Sequence, residues 1–140
     1  MRKILFTRPD GGLSIITPVE SEQHAWEALP KDALNPHFVS DVEIPDDRDF
    51  RDAWKDTGSG VVIVMSKARE IHKSKLRKLR TPKLAALDVE YQRADEAGDV
   101  AGKKQIAARK QALRDVTADP RIAAATTPEQ LKAVIPDVLT

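Results

Sequence analysis

Val61-Val62-Ile63-Val64-Met65-Ser66-Lys67-Ala68-Arg69-Glu70-Ile71-His72 is the stretch in which the chain changes character. The apolar, β-branched run at 61–65 follows Gly58-Ser59-Gly60, a turn sequence, and predicts a strand. Ser66 suits a helix N-cap, and the residues behind it predict a helix over 67–80. That helix carries a narrow apolar stripe of Ala68, Ile71, Leu76 and Leu79 among charges. A β-containing head followed by a helical region is therefore the expected plan, with the boundary between residues 65 and 66.

Upstream, residues 3–7 and 13–17 are β-prone runs separated by Pro9-Asp10-Gly11-Gly12, which predicts a β-hairpin. Residues 20–29 suit a short helix with Ser21 as N-cap and Ala25, Trp26 and Leu29 on one face, stopped by Pro30. Phe38, Val39, Val42 and Ile44 suggest a third strand ending at Pro45. Asp46-Asp47 favours the start of another short helix, because acids stabilise the positive end of the helix dipole. On such a helix Phe50 and Trp54, four residues apart, point the same way and suit a core better than a surface patch. Residues 1–65 are thus expected to form a small α+β domain of four strands and two short helices.

Downstream, Thr81-Pro82 looks like a fresh helix cap with proline at the first helical position, so a break or kink is expected there. The following helix carries Leu84, Leu87, Tyr91 and Ala94 at helical spacing and ends before Gly98. Asp99 caps another, with Val100, Ile106, Ala107 and Leu113 on its face. The Gly98-Asp99 turn is short enough to fold these two helices back as an antiparallel hairpin. Asp119-Pro120 starts a further turn of helix, and Thr127-Pro128-Glu129-Gln130 is a capping-box arrangement ahead of Leu131, Val134 and Ile135. The predicted fold class is α+β: a small N-terminal hairpin and sheet unit with short helices at 1–65, then a helical hairpin and a short C-terminal helix at 66–140.

The composition narrows the function. Aromatic residues make up 4% of the 140 residues and many apolar ones are alanine, so the core is expected to be thin and stability to lean on a partner or a second copy. Without cysteine there is neither a disulfide framework nor a thiolate metal site. His24, His37 and His72 fall in different elements, so no metal centre is expected. Gly58-Ser59-Gly60 lacks the length and the lysine of a phosphate-binding loop and precedes a strand instead of following one. No GxSxG elbow is present, and Asp46-Asp47 is better explained as a helix start than as an acid–base pair. A non-enzymatic chain without cofactor is expected. No signal peptide is visible at the N-terminus, and no apolar run approaches the roughly 20 residues that span a bilayer.

Charge is unevenly placed. Asp41, Glu43, Asp46, Asp47, Asp49, Asp52 and Asp56 outnumber Arg48, Arg51 and Lys55 between 41 and 56. From 67 to 83 the eight cations Lys67, Arg69, Lys73, Lys75, Arg77, Lys78, Arg80 and Lys83 face only Glu70. Such a helix is a solvated or internally paired face, a protein interface, or a surface for nucleic-acid phosphates. No aromatic residues interleave with its charges and no helix-turn-helix spacing precedes it, which disfavours nucleic acid. Arg48 and Arg51, three apart on the expected helix, would be neighbours able to fork carboxylates. Asp88 and Arg114-Asp115 stand where ion pairs would set the hairpin's register.

Pro45-Asp46-Asp47-Arg48-Asp49-Phe50-Arg51-Asp52-Ala53-Trp54 resembles a "DDRxFRxAW" segment of small proteins encoded among the tail genes of tailed bacteriophages and prophages. In those proteins a strand and a "KAREIHxxxLRxxR" helix follow, as at 67–80 here, and the opening at 7–18, TRPDGGLSIITP, is similar too. The similarity continues through 84–88 and 125–132, while Lys110-Gln111-Ala112-Leu113-Arg114-Asp115 resembles the last helix of tail and tail-fibre assembly chaperones. That wider family follows the element with a proline-rich or Trp-Pro ending, where this chain has Val116-Thr117-Ala118-Asp119-Pro120. The resemblance implies a tail or baseplate component, or a tail-fibre assembly factor, that works by binding a phage tail or tail-fibre protein. It places the chain in the bacterial host cytoplasm during assembly, with the virion tail as the second location. The expected interface residues are Arg48, Arg51, Trp54, Arg69, Lys73, Arg77, Arg80 and Arg114. The alternative is a nucleic-acid-binding regulator using residues 67–83.

Overall fold

A computed structural model describes residues 1–140, which form an α+β protein dividing into two compact units, Met1–Ala68 and Arg69–Thr140. No helix is long and apolar enough to cross a membrane.

In the first unit, β1 (Lys3–Thr7) and β2 (Leu13–Ile16) make the expected hairpin, and β3 (Leu34–Val39) pairs antiparallel on the other side of β1. The central strand is buried on both faces: Ile4, Leu5 and Phe6 are all in the core. Alternation puts Ile4 and its cross-strand partner Phe38 on one face. The short helix α1 (Glu22–Glu27) covers that face, and its Trp26 stacks on Phe38 at 5.2 Å between ring centroids. Ser21 caps α1 as predicted, accepting from the His24 N–H. Leu5 points to the other face, where it packs with Leu13, Val39, Ile44 and Trp54. A second hairpin, β4 (Trp54–Asp56) with β5 (Val61–Ile63), closes this side, and Gly58 supplies the left-handed turn residue at φ +87°. Asp56 Oδ1 lies 3.2 Å from His37 Nε2, tying the second hairpin to β3.

Two expectations fail in this unit. The third strand begins earlier than 38–44, and Val42 is exposed on a 3-10 turn at Asp41–Glu43. Asn35, at φ +48°, accompanies the register shift that lets a segment containing Pro36 serve as an edge strand. Nor does Asp46-Asp47 open a short helix carrying Phe50 and Trp54. Only a 3-10 turn forms at Arg51–Ala53, and Trp54 already belongs to β4, paired with Ile63. Phe50 and Trp54 are core residues all the same, because burial and not a shared helix face brings them inside.

The second unit is helical. Met65–Glu96 is one uninterrupted helix, α2, so the break expected at Thr81-Pro82 does not occur. Pro82 cannot donate to the Lys78 carbonyl, while the Thr81 hydroxyl donates to Arg77 O at 2.9 Å. A proline inside a helix costs about 3 kcal/mol in isolation, and packing on both sides of it outweighs that. On the N-terminal side Leu76 is fully buried and Arg80 Nη1 donates to Arg114 O at 2.8 Å. On the C-terminal side α3 (Val100–Arg114) runs antiparallel, with Lys103 on Asp95 and Lys110 on Asp88. The hydrogen bond and charge of Asp95 raise the Lys103 pKa. Asp99 caps α3 through the Gly102 N–H, as predicted. Across the hairpin Asp88 pairs with Lys110, and not with Arg114.

After a 3-10 turn at Asp115–Ala118 come α4 (Pro120–Ala124), capped by Asp119, and α5 (Pro128–Lys132), capped by Thr127. The glutamine of the predicted capping box, Gln130, reaches the N–H of Thr126 at 2.9 Å, one residue before the cap. Their apolar residues Ile122, Ala125, Leu131 and Val134 share the buried set with Leu76, Leu113 and Val116. Arg121 bonds the Asp119 carboxylate and holds it below the usual carboxylate range.

Candidate functional site

The expected interface residues separate into three kinds. Arg69 and Arg80 are internal staples. Arg69 Nη2 donates to Ala125 O at 2.9 Å and its Nε to Ile122 O at 3.3 Å. These carbonyls end the short helix α4, so a guanidinium supplies the donors that a helix C-terminus lacks. Arg80 does the same for the carbonyl of Arg114 at the end of α3. Both are withdrawn from the set of docking residues, because their forks already face inward. His72, on the same helix, is buried with Nε2 2.8 Å from Val134 O. A carbonyl only accepts, so Nε2 carries the hydrogen there.

Arg69→Met is expected to lower stability by about 1.5–3 kcal/mol, since the apolar stem is kept while two carbonyls lose a charged donor. Urea denaturation followed by circular dichroism reads this directly; an unchanged midpoint would mean that the staple carries no weight.

The second kind faces solvent. Lys73 pairs with Glu70 one turn back at 3.4 Å, whereas Arg77 and Arg114 make no side-chain bond. Lys75, Lys78 and Lys83 are likewise exposed. Between these cations runs an apolar strip that the stripe reading did not isolate: Leu79, Pro82, Ala86 and Val89, all exposed and spaced at three- and four-residue intervals along α2. Leu79 is 42% exposed and Val89 49%, on the side of α2 away from the α3-facing residues Leu84, Leu87 and Asp88. The spacing was visible in the sequence. It was masked by the expected helix break at Pro82, which would have split the strip in two.

The third kind gathers in the first unit. Arg48 and Arg51 do not share a helix; both guanidiniums instead approach the ring of Trp54, at 5.7 and 5.9 Å from its centroid. Trp54 itself is only 6% exposed, so it serves the core and is corrected from an interface anchor to a wall. Beside it lies a pocket of about 380 Å³ whose other walls include Arg51, Asp52, Lys67 and the β1–β2 turn. In that turn the Gly12 N–H donates to Asp10, holding its carboxyl below the usual carboxylate range, and Arg8 adds to the effect. Arg8 folds back over Gly12 to donate to Leu13 O and Ser14 Oγ at 2.8 and 2.9 Å. A Cβ on Gly12 would stand 2.0 Å from Arg8 Nη2, so only glycine leaves that guanidinium its place.

No group of His, Cys, Asp and Glu side chains is arranged to hold a metal ion. No protein-family model, curated protein or solved structure matches the chain.

Proposed function

We propose that this chain is a non-enzymatic bacteriophage tail-associated protein, a tail or baseplate component or a tail-fibre assembly factor, that acts by binding another tail polypeptide. The observation that carries the binding mode is the exposed Leu79–Pro82–Ala86–Val89 strip on a long helix, bordered by cations without partners. Apolar residues in line on a helix form the half of a helix-in-groove contact that a soluble surface otherwise avoids. The flanking Lys75, Lys78 and Lys83 favour a groove with an acidic rim. The tail assignment rests on the resemblance of residues 45–54, 67–80 and 110–115 to small proteins encoded among phage tail genes.

The expected result is that the purified chain co-elutes with a tail or tail-fibre polypeptide encoded beside its own gene, and that Leu79→Glu with Val89→Glu abolishes this without unfolding the protein. Mass spectrometry of purified particles then separates the two roles: fixed stoichiometry means a component, absence an assembly factor. The exposed cations Arg77, Lys78 and Lys83 also favour a second reading, a nucleic-acid regulator. A gel shift that weakens steeply with salt, in a chain that ignores every tail polypeptide, would replace the first reading by the second.

A further inference from the structure

We infer that the pocket beside Trp54 is a binding site for a carboxylate presented by an acidic polypeptide segment. Two observations converge there. First, cations outnumber the anions able to neutralise them: Asp10 is engaged by Arg8, which leaves Arg51 and Lys67 on the walls against Asp52, with Arg48 at the same indole. Second, Arg48 and Arg51 both approach the Trp54 ring, an arrangement of like charges that an anion beside them relieves.

The charge balance selects the ligand. With Asp10 and Asp52 on the walls, the surplus suits a singly charged carboxylate better than a phosphate dianion. Arg51 offers a planar fork and Lys67 a point charge, a combination that holds the two oxygens of one carboxylate. The walls are polar, and Arg51, Asp52 and Lys67 are themselves exposed. Such a pocket takes in one side chain and leaves the remainder outside, unlike the enclosed, mostly apolar sites of free small molecules. An Asp or Glu side chain on a larger chain is therefore the occupant. All these residues lie within the first unit, so the inference stands whether or not the α2 strip binds anything.

The experiment uses the full chain, isotope-labelled, at low ionic strength, with amide and indole N–H signals followed by NMR. The probes are a capped, amidated Glu-Asp repeat peptide, succinate and inorganic phosphate. Saturable shifts of the Trp54 Nε1–H and the Gly11 and Gly12 amides with the peptide are expected, while the Trp26 indole stays still. Arg51→Gln and Lys67→Gln should each weaken binding about tenfold, the loss of one charge-assisted bond at a half-open site. Lys67→Arg should retain it, and Arg77→Gln on α2 should leave it unchanged. The inference is overturned if the peptide moves none of these signals, if Arg51→Gln binds as the parent does, or if phosphate binds more tightly than the peptide. Succinate binding as tightly as the peptide overturns the polypeptide occupant. Loss of co-elution with a tail polypeptide on Leu79→Glu, with peptide shifts intact, sinks neither proposal and shows the two surfaces to be separate.

Discussion

Trp54→Ala is expected to cost about 3–5 kcal/mol, most of the stability of a small unit. Its indole packs with Leu5, Leu13, Val39 and Ile44, and with the partly buried Ile15, Val61 and Ile63, between a three-stranded sheet and the second hairpin. Removing it opens a cavity where the two sheets meet, and it also takes away the ring that Arg48 and Arg51 approach. Urea denaturation followed by circular dichroism should show the first unit melting early while the helical signal of the second persists. Trp54→Phe, which keeps an aromatic ring, should recover more than half of the loss. A Trp54→Ala protein that unfolds at the parent's midpoint would mean that the indole is a surface anchor after all.

Leu76→Ala and Leu79→Ala, three residues apart on one helix, are expected to behave in opposite ways. Leu76 is fully buried, and its truncation should cost about 2–5 kcal/mol through lost transfer energy and a residual cavity. Leu79 is 42% exposed, and its truncation should move stability by no more than about 0.5 kcal/mol. The sequence pattern assigns both to a single stripe, so equal losses would restore that simpler reading. Unequal losses with Leu79→Ala deficient in partner binding would mark Leu79 as a docking residue, separable from the core.

Local chemistry alone was enough for the first hairpin, the Ser21, Asp99, Asp119 and Thr127 caps, and the turns at Gly58 and Gly98, because each depends on residues within a turn of one another. The α+β class followed from the change of pattern near residue 65 for the same reason. Three features were beyond it, and each is set by partners distant in sequence. Pro82 stays inside α2 because partners on α3 hold the helix on either side of it. Trp54 sits in a strand because Ile63 pairs with it, which overrides the helix start that the preceding acids favour. Arg69 and Arg80 point inward because carbonyls 53 and 34 residues away need donors. Composition could announce a basic helix; only the packed chain decides which of its cations are already engaged and which face solvent, since that depends on where unsatisfied backbone groups come to rest.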